Sequence, residues 1–235
     1  MKEEIIGVSL GPGEPELITW KALKVLEEAD VIYCPGTRDK NGQIQSHARD
    51  ILRCLPVEQN KIRIFSLPMS RKREEALTVY DQVCEEILSC LSEDKKVAIT
   101  AEGDACFYAS AHYMYDQLQK SGYPVEMVAG VPAFIAAGAS RGIHLVKQQE
   151  RMLVIPGDVK VEELLEAIVA KRTLVIMKVP LGEAELRPFI ARHKELQYHY
   201  FERVGTPAEY YSSDPEEILS RSFTYFSILV IRCRE

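Results

Sequence analysis

Two alternating patterns of apolar positions run through the chain: short unbroken runs, and longer stretches in which apolar residues recur every third or fourth position. Ile5-Ile6-Gly7-Val8-Ser9-Leu10 is a compact run ended by Gly11-Pro12-Gly13 and predicts a buried first strand. The stretch after it places Ile18, Ala22, Val25, Leu26 and Ala29 on one helical face. Val31 to Pro35 predicts a second strand closed at Pro35-Gly36, and polar Thr37 to Gln45, with its Asn41-Gly42 turn, a surface loop. Ile62 to Phe65 predicts a strand and Leu67-Pro68-Met69-Ser70 a turn. Arg71-Lys72-Arg73 then reads as a solvated turn. From Glu74 to Leu91, residues Leu77, Tyr80, Val83, Cys84, Ile87, Leu88 and Leu91 keep helical spacing. Val97-Ala98-Ile99 is a strand. Phe107, Tyr108, Ala111, Met114, Tyr115 and Leu118 form another helical face, and Tyr123 to Val128 another strand. Beyond Gly130 the pattern restarts with a small-residue helix, Ala133 to Ala139, and a bend at Arg141 to His144.

The second half repeats the alternation. Leu153 to Ile155 and Thr173 to Met177 are strands, separated by a helix bearing Val161, Leu164, Leu165, Ile168 and Val169. A helix from Glu183 to His193 follows, and the strands Tyr198 to Phe201 and Thr224 to Ile231 close the chain. This order predicts an α/β fold in both halves, with domains at 1–128 and 129–235 and hairpins among the aromatic-rich late strands.

Three glycine-bearing loops fall at strand-to-helix junctions, where an open α/β sheet keeps its ligand. They are Gly11-Pro12-Gly13-Glu14-Pro15-Glu16-Leu17, Thr100 to Tyr108 with Glu102-Gly103-Asp104 at its centre, and Gly130-Val131-Pro132-Ala133-Phe134. Gly103 allows close backbone approach or positive φ, and Asp104 either caps a helix start or accepts hydrogen bonds from a ligand. Spacing and charge argue against a phosphate loop at the first junction: there is no GxGxxG or Gly-Lys-Ser/Thr, and Glu14 and Glu16 oppose an anion.

Length and composition narrow the field further. At 235 residues the chain can bury a core without disulfides or metal, and its six cysteines show neither CxxC pairs nor zinc spacing, which suits reduced thiols. No apolar run nears the roughly 20 residues of a membrane span, and Met1-Lys2-Glu3-Glu4 leads straight into a strand, so a cytoplasmic protein without a signal peptide is expected. A formal charge of −6 argues against nucleic acid as a partner.

Taken together, the loops resemble those of the tetrapyrrole methylase family, two-lobed class III enzymes that use S-adenosylmethionine in corrin and sirohaem synthesis. The resemblance is carried by Gly7 to Thr19, by Glu102-Gly103-Asp104, by Ala129-Gly130-Val131, and by Ile176-Met177-Lys178 at a strand end. Phe65 to Ser70 before a long helix, Glu150, and Tyr225-Phe226-Ser227 resemble the branch that methylates C20 of precorrin-2. The resemblance implies a cofactor cleft between the lobes lined by Pro12, Glu102, Gly103, Asp104, Phe107, Pro132, Ala133, Met177 and Gly205, with the Met177 thioether against adenine. It also implies a homodimer and a small-molecule tetrapyrrole substrate, either precorrin-2 or its cobalt-bearing counterpart, in vitamin B12 synthesis. Three positions depart from the family pattern: Ala105 and Ala129 stand where Pro is usual, and Pro132 stands for a Ser or Thr that would hydrogen-bond the cofactor. Pro132, expected at the first helical position, keeps a helical φ but offers neither hydroxyl nor amide.

Methyl transfer from a sulfonium needs alignment and exclusion of water more than acid–base help. Spacing nominates no base; His144, Tyr33 and Asp104 are the candidates. Arg38, Arg141, Lys178 and Arg203 are candidate contacts for substrate carboxylates. The late aromatics (Tyr198, Tyr200, Phe201, Tyr210, Tyr211, Phe223, Tyr225 and Phe226) exceed what one sheet face easily buries and predict a dimer surface. Two other classes stay open: a sibling branch that methylates another tetrapyrrole, RNA or a translation factor, and a module that binds S-adenosylmethionine without turnover.

Overall fold

The structure, a computed structural model, describes residues 5–38, 41–68 and 73–233. The Met1–Glu4 segment, Met69-Ser70 and Arg71-Lys72 lie outside the described residues. The chain divides into two compact units, Met1–Pro132 and Ala133–Glu235.

In the first unit, β1 (Ile5–Ser9) lies between β5 (Val97–Ala101) and β6 (Val125–Val128), parallel to both. Next to β5 runs β2 (Val31–Arg38), also parallel. It carries β4 (Ile62–Leu67) in parallel and β3 (Ile44–Gln45) in antiparallel pairing. Side chains alternate across this sheet. Ile5, Val31, Tyr33, Val97 and Ile99 enter one core with α3 (Arg73–Ser92) and α4 (His112–Lys120). Val8, Leu10, Ile32, Cys34 and Ala98 enter another with α1 (Trp20–Glu28) and α2 (His47–Arg53). Burial on both faces explains why these strands read as unbroken apolar runs. Gly7 is required by packing: a Cβ there would fall 2.8 Å from the Tyr115 ring.

Several boundaries differ from the sequence expectation. The second strand does not stop at Pro35-Gly36 but continues to Arg38, because Pro35 and Gly36 keep the parallel register with Phe65 and Ser66 on β4. The expected 37–45 surface loop is a hairpin whose ends, Thr37-Arg38 and Ile44-Gln45, are paired. Phe107, Tyr108 and Ala111 are not helical, since α4 begins only at His112. Within the first unit, Thr19 Oγ1 donates to the Ala129 carbonyl at 3.3 Å.

The second unit contains α5 (Ala133–Ser140), β7 (Met152–Ile155), α6 (Val161–Val169), β8 (Thr173–Met177), α7 (Glu183–Arg192), β9 (Gln197–Glu202), β10 (Tyr210–Ser212), α8 (Pro215–Ser220) and β11 (Ser227–Arg232). Its strands run β10-β9-β11-β8-β7, parallel only between β7 and β8. Pro132 is not the first helical residue, because α5 starts at Ala133. The last strand begins at Ser227 rather than Thr224. The expected surplus of late aromatics is mostly absorbed inside this unit. Tyr198, Tyr200 and Phe201 are buried, the Tyr200 ring lies 5.2 Å from Phe223, and of these eight late aromatics Tyr225 (55% exposed) and Phe226 (47%) are the exposed ones.

Candidate functional site

The register of the first sheet sets Ser9 opposite Ala101 and Val8 opposite Val128, so the carboxyl ends of β1, β5 and β6 finish level. The chain leaves all three strands at one edge, and the loops bond to one another. Gly11 and Gly103, both at positive φ, exchange backbone hydrogen bonds of 3.0 and 2.7 Å. Ser9, fully buried, donates its hydroxyl to the Val128 carbonyl (2.5 Å) and accepts from the Ala105 amide (2.8 Å). Asp104 accepts from the Cys106 amide through one oxygen (2.8 Å) and from the Gly130 amide through the other (2.7 Å). Asp104 therefore fastens the second loop to the third, and the helix-capping reading falls, because the next helix starts at His112. Gly130 permits this closeness: a Cβ would lie 2.4 Å from the Ser9 Cβ and 2.8 Å from the Gly103 carbonyl oxygen.

Glu102, directly after β5, is partly buried. Burial raises its carboxyl above the usual range, with the charge of His47 opposing. His47 sits with Nε2 3.3 Å from the Pro12 carbonyl oxygen, and so links this carboxylate to the first loop. Phe107 closes a turn on the Asp104 carbonyl, its ring 4.7 Å from Tyr108. The first unit thus gathers Pro12, Glu102, Gly103 and Asp104 around one sheet edge, with Phe107 and Pro132 on the same loops. Sequence reasoning missed Ser9 and His47. A lone serine inside an apolar strand was the available signal for Ser9.

In the second unit the register Met177 to Ile228 and Glu202 to Ser227 brings another set of strand ends level. Met177 closes β8. Lys178 follows at φ 53°, and its Nζ lies 5.7 Å from the Tyr225 ring centre. Arg203, at φ 49°, donates its amide to the Phe226 carbonyl (2.8 Å), and Gly205, at φ 75°, donates to Glu209 (2.8 Å). The Thr224 hydroxyl is buried with no hydrogen-bond partner among the described residues. Ala133 opens α5 in this unit.

The other candidates are engaged elsewhere. Arg141 pairs with Glu209 at 3.2 Å and stacks on Tyr211, and Arg38 closes its own hairpin on the Gly42 carbonyl (3.1 Å). The Tyr33 hydroxyl is buried among Arg63, Cys90 and Glu86, and burial pushes its pKa upward, which removes it as a base. The carbonyl of His144 accepts from Arg232 (2.8 Å). Among the described residues no three His, Cys, Asp or Glu side chains gather as a metal site, and no helix is long and apolar enough to cross a membrane.

Carboxylates and backbone carbonyls, which are hydrogen-bond acceptors, stand at the loop edge of the first unit and hold its loops together. The chain belongs to the tetrapyrrole (corrin/porphyrin) methylases, whose family model matches residues 4–217. It is accordingly an S-adenosylmethionine-dependent methyltransferase of mixed α/β fold.

Relatives and solved structures agree with this placement. The chain is 27% identical to a precorrin-2 C(20)-methyltransferase of Sinorhizobium sp. over 97% of its own length and 94% of the relative's. It is 30% identical to the cobalt-precorrin-2 C(20)-methyltransferase of Salmonella typhimurium, covering 82% and 79%. In fold it is similar to a cobalt precorrin-4 methyltransferase (TM-score 0.72, 17% identity, 97% and 94% covered). It also resembles the uroporphyrin-III C-methyltransferase of Thermus thermophilus complexed with S-adenosylhomocysteine (TM-score 0.64, 20% identity, 97% of each chain).

Proposed function

We propose that this chain transfers the methyl group of S-adenosylmethionine to C20 of precorrin-2, or of its cobalt-bearing counterpart, in vitamin B12 synthesis. The observation that carries this reading is the C(20)-methyltransferase name of relatives 27–30% identical over 72% or more of their length. In this reaction the S–CH3 bond breaks with its electrons going to sulfur. The new C–C bond forms from the electron-rich ring carbon, and a proton leaves that carbon. The protein's share is to hold the sulfonium in line with the carbon, at about 3–3.5 Å, and to keep water out.

In this reading Pro12, Glu102, Gly103, Asp104, Phe107, Pro132, Ala133, Met177 and Gly205 line the cofactor site, and 1–128 and 129–235 act as two domains. The carboxylates at the loop edge support the first group, and the buried Thr224 hydroxyl, unpaired among the described residues, supports the second. Lys178 and Arg203, beside two exposed aromatics, have the chemistry to meet a flat ring with carboxylate side chains. The enzyme works in the cytoplasm as a homodimer, with Tyr225 and Phe226 the remaining exposed aromatic surface of the late strands. Light scattering at micromolar concentration tests the dimer: a mass of one 26.6 kDa chain, unchanged by cofactor, refutes it.

Incubation with methyl-labelled S-adenosylmethionine and either ring tests the function. Label in the C20-methylated product is the expected result, and the preferred ring identifies the natural substrate. Cofactor binding without label in either ring would replace the enzyme by a binding module.

A further inference from the structure

Gly205 lies in the loop after β9 at φ 75°, and a glycine tolerates either orientation of the peptide that joins it to Val204. One side chain decides between the two. Glu209 Oε2 accepts from the Gly205 amide at 2.8 Å. A trans peptide points its N–H and its carbonyl in opposite directions, so the Val204 carbonyl is turned away from Glu209. The other carboxylate oxygen, Oε1, lies 3.2 Å from Arg141 Nη2 and 3.4 Å from the Ser140 hydroxyl, at the end of α5.

We propose that Glu209 is a positioning residue of the second unit, which fastens the Gly205 turn to the end of α5 and so fixes the loop that S-adenosylmethionine meets. This rests on the reading above, in which Gly205 and Ala133, the first residue of α5, both line the cofactor site.

The bonds around the turn leave this task to Glu209. Arg203 donates its amide to the Phe226 carbonyl (2.8 Å), and its own carbonyl accepts from the Thr206 amide (3.1 Å) and hydroxyl (2.8 Å). The Glu209 amide closes on the Thr206 carbonyl at 3.0 Å. These bonds fix the two ends of the turn, and the Glu209 carboxylate fixes its middle. The Glu209 side chain is 18% exposed, so its pairing with Arg141 is screened less than a surface ion pair. Arg141 is braced in turn, its guanidinium 4.8 Å from the centre of the Tyr211 ring. It therefore serves Glu209 rather than a substrate carboxylate. Asp104 makes a similar connection in the first unit, where it accepts from the amide of another strand-end glycine, Gly130.

The test compares wild type with Glu209→Ala, Glu209→Gln, Arg141→Met and, as a control, Glu217→Ala. It reads S-adenosylhomocysteine affinity by calorimetry, the urea midpoint by circular dichroism, and KM and kcat for methyl transfer. Glu209→Ala frees the Gly205 peptide and should weaken S-adenosylhomocysteine binding about tenfold or more, the scale of one charge-assisted hydrogen bond. KM for S-adenosylmethionine should rise by the same factor with kcat nearly unchanged, as when uniform binding is lost. Glu209→Gln keeps an acceptor for the Gly205 amide but loses the charge facing Arg141, and Arg141→Met breaks the same ion pair from its other side. Both should show an intermediate loss of about threefold. Glu217→Ala breaks bonds to Tyr210 (2.5 Å) and Ser212 (2.7 Å) on β10, and should lower the urea midpoint while affinity stays at the wild-type value. Wild-type affinity in Glu209→Ala, a Glu209→Gln loss as large as that of Glu209→Ala, or an equal affinity loss in Glu217→Ala overturns the proposal while the function stands. Should Glu209→Ala fail to fold, wild-type affinity in both Glu209→Gln and Arg141→Met overturns it. A wild type that binds no S-adenosylhomocysteine overturns both the proposal and the cofactor site on which it rests.

Discussion

Ser9→Ala tests whether the loop edge is held by a few buried hydrogen bonds or by the sheet alone. The hydroxyl is fully buried and serves two groups on different segments, the Val128 carbonyl at 2.5 Å and the Ala105 amide at 2.8 Å. Alanine fills nearly the same space, so packing loss is small, but both backbone groups are left without a partner in a dry interior. Each orphaned group costs about 1–3 kcal/mol. Partial relaxation of the Ala105 loop brings the expected total to about 2–4 kcal/mol, since two groups are exposed at once. With a urea m-value of about 2 kcal/mol/M, the midpoint should drop by about 1–2 M at constant m. Trp20, the single tryptophan, lies in the first unit, so its emission and anisotropy follow that unit rather than the chain average. S-adenosylhomocysteine affinity should fall as well, because the second and third loops lose a common anchor. A midpoint shift under about 0.25 M with unchanged affinity would refute the reasoning, at a stability change of about 0.5 kcal/mol, typical of neutral surface substitutions.

Gly130→Ala forces a Cβ to within 2.4 Å of the Ser9 Cβ and 2.8 Å of the Gly103 carbonyl oxygen. The loops must part, and S-adenosylhomocysteine affinity should drop at least tenfold by calorimetry, about 1.4 kcal/mol. Asp104→Ala removes two charged hydrogen bonds to the Cys106 and Gly130 amides. Stability should fall by about 1.5–3 kcal/mol along with affinity, and urea unfolding that detects no change would sink the fastening role. Thiol chemistry should separate the cysteines. Exposed Cys54 alkylates first at pH 8, and Cys106 more slowly because burial and Asp104 raise its pKa. Buried Cys34 and Cys84, raised to about 11 and about 12, should react only on unfolding. Mass spectrometry of peptides from a timed iodoacetamide reaction gives the order, and early labelling of Cys34 would contradict its burial.

Much of the fold is a matter of local pattern, and there the chain is explicit. Strands buried on both faces have no polar side to show, so β1, β2 and β5 read as continuous apolar runs, and the twenty-residue α3 carries its stripe over several turns. Short elements escape that logic. The seven residues of α2, the six of α8 and the three of β10 are too few to establish a period, and their stability comes from what they pack against. Phe107 and Tyr108 keep a helical spacing by coincidence, in a loop where Tyr108 sits at φ 51°.

The candidate site divides along the same line. Glycines at strand ends and an acidic Glu102-Gly103-Asp104 turn are visible in one dimension, because each is required by the backbone of its own loop. Which loop touches which is decided only by the parallel register, which joins Ser9 to Val128 across 119 positions and Asp104 to Gly130 across 26. That register gave Asp104 its amide partners in place of a helix cap, set His47 beside Pro12, and left Glu102 as the carboxylate whose pKa burial raises. Residue type and local spacing determine the elements and the kinds of chemistry on offer. A group's hydrogen-bond partners and the dielectric around it depend on neighbours remote in sequence, and these exist only once the sheet has formed.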